Sequence, residues 1–388
     1  MLKKSVRTER GRLAAVEVRT QLSANQYVPF MLRQAQHERK AEPGLFSILL
    51  SHEPVREQVR SYALTLPLRV QLRSRAALLM LTAHLYGAAA TAAPFAYITN
   101  QGSNNVSVID LANNLVIGTI DVGKAPAGVA ASADGRRVYV TNPDSKDVSV
   151  IDTSSRTVVA TVPVGEGPLG IAVHPDGTKL YVADWYEHKV TVLDTQTLSP
   201  IKEIAVGKSP SGIALDSAGQ RIYVTNRDDG TLSVLDAQSL EQLALIDVGK
   251  APFGVTVAPS GKEAYVANVQ SGDVSIVDTD RLAVTHIVKV REFPYASAVD
   301  AERQRLFVTN QHDDSVSVID LYTHTVIETI AVSGYPEGIA MDPTGKRVYV
   351  ANWFANQVDV IDAATLDITS SIAVGDGCRA FGQFISPQ

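Results

Sequence analysis

Three features of the sequence predict an all-β fold, a seven-bladed β-propeller built from four-stranded antiparallel blades. From Ala96 onward the chain repeats: segments starting at Ala96, Val138, Leu180, Ile222, Ala264, Leu306 and Val348 align without gaps, six of them 42 residues long and the last 41. Each copy holds four short runs of alternating or β-branched apolar residues bounded by Gly, Pro, Asn or Asp, the pattern of strands joined by tight turns. No copy has helical spacing, and a period near 40 with four strands marks a propeller, whose blades cannot bury both faces alone.

In chain order a copy reads approximately YVTN, a polar loop, VSVID, a short turn, a β-branched run ending in VG, then P-x-G-I-A and a turn before a basic residue. With P-x-G-I-A as the innermost strand, the chain enters at the second strand of a blade, Tyr97 to Asn100, and ends on a lone inner strand around Phe381 to Ile385. That C-terminal strand is expected to pair with the N-terminal blade and close the ring, removing open sheet edges.

YITN at 97–100, YVTN at 139–142 and 223–226, and FVTN at 307–310, each followed by a VSVID-like segment, carry a family resemblance. The chain resembles the YVTN-repeat β-propeller family of bacterial exported proteins, over all 293 residues from Ala96 onward. The resemblance implies the fold and export; the family spans many roles, and a fold does not fix a function.

Composition is that of an ordinary globular chain: 388 residues, 45% hydrophobic, 20% charged, with a formal net charge of -6. The charge is split. Residues 1–92 carry 14 Lys+Arg against 6 Asp+Glu, whereas residues 93–388 carry 21 against 35, so a basic leader precedes a body at -14. The leader contains AALLMLTAHLYGAAATAA, preceded by Arg69, Arg73 and Arg75 and ending in Ala90, Thr91 and Ala92, which has the form of a secretory signal peptide. The alternative is a transmembrane anchor, but the stretch is short for a ~20-residue span and contains His84. Three regions are therefore expected: 1–68, a disordered extension or a segment upstream of a true start near Val59 or Val70; 69–92, a signal peptide cleaved near Ala92; and 93–388, the propeller. A periplasmic or secreted monomer with no membrane attachment after cleavage follows.

Several repeated positions have structural readings. Asp110, Asp152, Asp194, Asp236, Asp278, Asp320 and Asp362 recur at one position in every copy, where a strand-end carboxylate sets a turn by accepting backbone N–H bonds. Asn100, Asn142, Asn226, Asn268, Asn310 and Asn352, with Asp184 in the third copy, receive the same explanation. Gly128, Gly170, Gly212, Gly254 and Gly338 open the inner strand, where crowding or a positive φ disfavours a Cβ.

Catalytic and cofactor motifs fail on context. Gly165-Glu-Gly167-Pro-Leu-Gly170 matches G-x-G-x-x-G but leads into a strand, not the helix that would hold a pyrophosphate. Gly207-Lys208-Ser209 lacks the earlier glycine of a P-loop, since Lys202 stands there. The five propeller histidines, His174, His188, His286, His312 and His324, share no repeat position, and no H-E-x-x-H or G-x-S-x-G occurs. The acidic pairs Asp228/Asp229 and Asp313/Asp314 do not follow the EF-hand pattern. No metal and no cofactor is expected. A body at -14 without a Lys/Arg run repels a phosphate backbone, so no nucleic acid is expected either. Cys378, the single cysteine, replaces the loop proline in the last copy; as an unpaired thiol it is expected to be buried, intermolecularly paired or reactive.

Function in a repeat protein concentrates where copies diverge, in loops gathered on one face. The loops after YVTN and those joining VG to P-x-G should share that face. Both tryptophans, Trp185 and Trp353, stand at one repeat position, where other copies have Gln101, Pro143, Arg227, Val269 and Gln311. Connecting loops add Phe253, Phe293, Tyr295 and Tyr335; strand-end loops add Tyr186, His188, His312 and Phe354. The fifth copy departs most, with Arg291, Ala296 and Arg303 where most others have Gly. The candidate binding residues are Arg291, Phe293, Tyr295, His312, Tyr335, Glu337, Trp353, Phe354 and Arg379, with Trp185 and Tyr186. Aromatic rings among charges suit a contact surface, because they bury large area with few torsions to freeze; packing between blades and repeat drift are the competing accounts.

The sequence thus points to a non-catalytic exported propeller that binds a protein, peptide or glycan through its loop-rich face. The alternative is an enzyme or redox accessory, lactonase-like, lyase-like or quinoprotein-associated, with its site in the central channel; for that reading no ligand residues match in this chain.

Overall fold

The computed structural model describes residues 94–386, so the extension, start-site and signal-peptide expectations for residues 1–92 lie outside the described residues. Within 94–386 seven sheets surround a central channel. Blade 1 has Ile385–Ser386 innermost, then Phe95–Asn100, Asn105–Asp110 and Leu115–Asp121. Blades 2 to 7 run outward in chain order from the inner strands Gly128–Ala131, Pro168–Val173, Pro210–Leu215, Pro252–Val257, Pro294–Asp300 and Pro336–Met341. A short 3-10 turn, Gln311–Asp313, interrupts one loop.

Burial follows radial position. In the second strand of every blade five consecutive residues are buried, as in Ala96–Asn100 and Ile222–Asn226, because both faces pack on neighbouring blades. Outer strands such as Leu115–Asp121 and Thr325–Ala331 leave most side chains in solvent. This explains why these runs place apolar residues at successive rather than alternate positions before their closing polar pair: a strand with two covered faces has no solvent side.

The ring closes through blade 1, as expected, but the closing segment is divided. Cys378 bridges to Asn100, and Ile385 and Ser386 pair antiparallel with Ala96 and Phe95. Between them the chain swings aside. Phe381–Gln383 pairs parallel with Gly128–Ala130 and makes blade 2 five-stranded. Blade 1 therefore receives only Ile385–Ser386, not the whole expected strand from Phe381. The detour needs backbone that an ordinary residue resists: Ala380 has φ +50 and Gly382 φ +118.

The recurrent polar residues hold the ring together. Six of the seven Asn/Asp positions carry asparagines whose side-chain amides tie one strand of a blade to the next; Asn142 Nδ2, for example, donates to Asp147 Oδ1 at 2.7 Å and Ser149 Oγ at 2.9 Å. Thr99, Thr141, Thr225 and Thr309 each donate a hydroxyl hydrogen to a carbonyl of the next blade, at Ala127, Leu169, Phe253 and Glu337. A Cβ on Gly128, Gly170, Gly212 or Gly338 would run into a neighbouring-blade carbonyl at the same junction, so crowding, not positive φ, is what requires glycine.

The seven strand-end aspartates cap turns. Asp194 accepts from the backbone N–H of Gln196 and Thr197 at 2.9 and 2.7 Å, and Asp236, Asp320 and Asp362 repeat the arrangement. These bonds hold the Asp194, Asp236, Asp320 and Asp362 carboxyls below the usual value; at Asp152 the Ser154 hydroxyl is the largest cause. A carboxylate with a lowered folded pKa stabilises the fold fully above its unfolded value, about 4, and loses that contribution as pH falls through the folded value. The melting temperature is therefore expected to fall progressively below about pH 4; an unchanged melting temperature at pH 2.5 would show that the caps contribute nothing.

Candidate functional site

The two loop families meet on one face, joined by backbone hydrogen bonds. Trp185 N donates to Gly167 O, Gln311 N to Phe293 O and Trp353 N to Tyr335 O, each at 2.9–3.0 Å. This register places one loop against the other at each blade junction and sets their side chains side by side.

The candidate residues resolve into two assemblies. The first is a string across three junctions: Phe293 stacks on His312 with centroids 3.7 Å apart, His312 faces Tyr335 at 5.5 Å, and Tyr335, Trp353 and Phe354 form a triangle at 4.6 to 5.7 Å. Phe293 and Tyr335 have φ +57 and +54, a left-handed turn they share with Ala125, Ser209 and Ala251 at the same repeat position. Phe354 is 68% exposed, and Arg291 lies 4.0 Å from Asp313 at one end of the string. Burial, and then the Glu337 charge, raise the pKa of the Tyr335 hydroxyl.

The second assembly fills the mouth of the channel. Phe253 stacks on Tyr295 at 4.1 Å and meets Trp185 at 6.2 Å and Phe381 at 5.1 Å. Arg379 donates from Nε to Glu337 Oε2 and from Nη2 to the Tyr295 hydroxyl, both at 2.6 Å, and Gln311 Nε2 donates to Glu337 Oε1 at 2.8 Å. Burial lowers the Arg379 pKa, but the Glu337 carboxylate outweighs it and holds the guanidinium charged; burial pushes the Tyr295 hydroxyl well up. Tyr295 and Glu337 are thus buried supports, not rim contacts. Tyr186 is 69% exposed beside Trp185, whose ring lies 5.5 Å from the Arg227 guanidinium carbon.

These side chains divide the channel. Above them lies a cavity of about 250 Å3 lined by Gln101, Pro143, Gly167, Leu169, Trp185, Tyr186, Phe253, Tyr295 and Arg379. Below, the inner strands enclose about 700 Å3, and Phe381 stands at the division. Sequence reasoning missed the channel-filling role of Leu169, Phe253 and Phe381. A signal for the first two existed: Leu169, Phe253, Tyr295, Glu337 and Arg379 all hold the middle position of P-x-G or its equivalent, at whole multiples of the 42-residue period.

Cys378 is fully buried, donates to Asn352 O at 3.2 Å, and has its thiol pushed up to about 12 by burial. Of the three expectations for it, burial is the one observed, and such a thiol is inert.

Blade count, closure and loop-face assemblies define the class, a seven-bladed β-propeller with its divergent residues on one face. A family model described as YNCE-like beta-propeller matches residues 69–220, and the chain is similar to that family over this stretch. Models described as a 7-bladed lactonase propeller and as the cytochrome D1 heme domain match residues 152–299 and 265–377. Among curated proteins, PE-PGRS family protein PE_PGRS18 of Mycobacterium tuberculosis is 51% identical over 47 residues, 12% of this chain and only 10% of that protein's length. Solved structures share the fold. Hydrazine synthase of Kuenenia stuttgartiensis is 22% identical with a TM-score of 0.63, covering 70% of this chain and 92% of that one. A functionally unknown protein of Desulfotomaculum acetoxidans is 15% identical with a TM-score of 0.64, covering 74% and 99%. The dihydro-heme d1 dehydrogenase NirN is 16% identical with a TM-score of 0.56, covering 72% and 73%.

Proposed function

We propose that this propeller is an exported, non-catalytic binding module that captures a protein or peptide segment on its loop-rich face. The observation that carries the reading is the aromatic string Phe293, His312, Tyr335, Trp353 and Phe354. Past the first stacked pair its rings are tilted by 35 to 59°, which makes clefts for inserted side chains rather than the flat platform on which a sugar ring stacks. Arg291 and Asp313 beside the string supply opposite charges for a polypeptide backbone and its polar groups. Export is supported by the leader at residues 69–92, which the family match includes.

The combined substitution Arg291→Ala, Tyr335→Ala and Trp353→Ala is expected to weaken partner capture from periplasmic or secreted extract at least about 100-fold, since anchors of this kind contribute ~2 kcal/mol or more each. Circular dichroism and melting temperature should stay near wild type. Undiminished capture would overturn the reading, and rescue of binding by glycans alone would reassign the ligand.

A redox-accessory reading draws on the heme-domain match and on the named structural neighbours. The mouth cavity does not fit a haem-type group. The mouth cavity of about 250 Å3 is smaller than the roughly 300–1,000 Å3 of pockets for drug-sized ligands. In the lower cavity His174 has both ring nitrogens engaged, Nε2 with Gly219 O at 2.9 Å and Nδ1 with Asp176 at 2.6 Å. An absorption spectrum and metal analysis of protein purified from its host check this: a stoichiometric chromophore would revive the redox reading.

A further inference from the structure

We propose that the cavity at the channel mouth is a specific pocket for a single aryl group carrying a carbonyl or carboxylate acceptor. This deepens the binding reading, on which it rests, by naming the chemistry of one subsite.

The walls are flat and apolar. Trp185, Phe253, Tyr295 and Leu169 line the cavity, which opens to solvent, and Tyr186 also lines it. An apolar cavity of about 150 Å3 already holds a benzene molecule, so about 250 Å3 leaves room for one ring and a small polar group.

The polar fringe offers donors. A guanidinium has five N–H bonds and no acceptor. Arg379 directs Nε to Glu337 and Nη2 to Tyr295, which fixes its plane, and its Nη1 makes no hydrogen bond among the described residues. Gln101 points the same way. Its Oε1 accepts from Trp353 Nε1 at 3.2 Å, and because an indole N–H can only donate, the amide orientation is settled and the Nε2 donor is left over. Nε2 likewise has no partner among the described residues. Two unused donors therefore border a cavity whose remaining surface is carbon and ring edge, and a ligand that satisfies them must bring acceptors.

Glu337 neutralises Arg379, so the pocket does not demand a full negative charge. A neutral amide carbonyl and a carboxylate both meet the donor pair. The first would come from an aromatic residue of a captured peptide, the second from a free aromatic acid.

The test uses the full chain and its two indole N–H resonances, assigned by their loss in Trp185→Phe and Trp353→Phe. Titration with N-acetyl-phenylalaninamide and with 3-phenylpropionate is expected to shift the Trp185 resonance saturably, with propionate and toluene weaker by at least tenfold. Stronger binding of the amide would assign the pocket to a peptide residue, and stronger binding of the acid to a free aromatic acid. Gln101→Leu should weaken the favoured probe at least tenfold. The paired exchange Arg379→Met with Glu337→Leu, which leaves no lone buried charge, should do the same. No saturable shift with either aryl probe, an equal response to propionate or toluene, or unchanged affinity in both variants would overturn the proposal. The outcome is separable from the wider reading, because Arg291→Ala and Tyr335→Ala, at residues that line no part of the cavity, report on partner capture by themselves.

Discussion

Deleting Phe381–Gln388 is expected to abolish cooperative folding of the propeller. The segment supplies Phe381, Phe384 and Ile385, all buried, and each such side chain is worth about 1.5–3 kcal/mol of burial. It also supplies the Phe384 carbonyl that accepts from Tyr97 N at 2.9 Å and the ladder between Ile385–Ser386 and Phe95–Ala96. Against a total stability of about 5–15 kcal/mol this loss leaves little or nothing. The deletion also bares the inner edges of blades 1 and 2, whose unpaired N–H and C=O groups then template aggregation. Soluble yield and a denaturant melt check the result; a truncated chain with an unchanged midpoint would refute closure by this segment. Phe384→Ala gives a graded version, with an expected cost of about 3–5 kcal/mol.

Arg379→Met alone is expected to cost about 3–5 kcal/mol, because it strands the buried Glu337 carboxylate with Gln311 as its remaining partner. Adding Glu337→Leu should restore most of that loss, since replacing both members of a buried pair by apolar residues is often close to neutral. Urea denaturation of the wild type, both single variants and the double variant completes the cycle. If the single and double variants lose equal stability, the pair is not coupled. The pair sits under Tyr295, so the single variant should also disorder the floor of the mouth cavity.

The repeat was legible because each strand is short and its ends are marked by residues with one local job: Asp caps a turn, Asn ties adjacent strands together, and Gly admits a neighbouring carbonyl. Those jobs depend on sequence neighbours and on one period of 42 residues, so composition and spacing expose them. The aromatic string was partly legible for the same reason, as Trp353 and Tyr335 belong to loops that must meet at one junction. Tyr295 and Glu337 were read as rim residues, and they are buried, because a loop address does not say whether a side chain turns outward or down the channel. The inward course of Phe381–Gln383 was illegible. It depends on φ values at Ala380 and Gly382 and on room beside Gly128, none of which a periodic alignment reports.

The strand order of blade 1 fixes how the molecule can be held. Phe95 begins its strand and Ser386 ends its partner on the side of the ring opposite Asn100, where the loop-rich face lies. The two ends of the described residues, 94 and 386, are thus together on the far side. A fusion partner joined directly at residue 94 or 386 leaves from the far side, and the aromatic string and the mouth cavity then face outward.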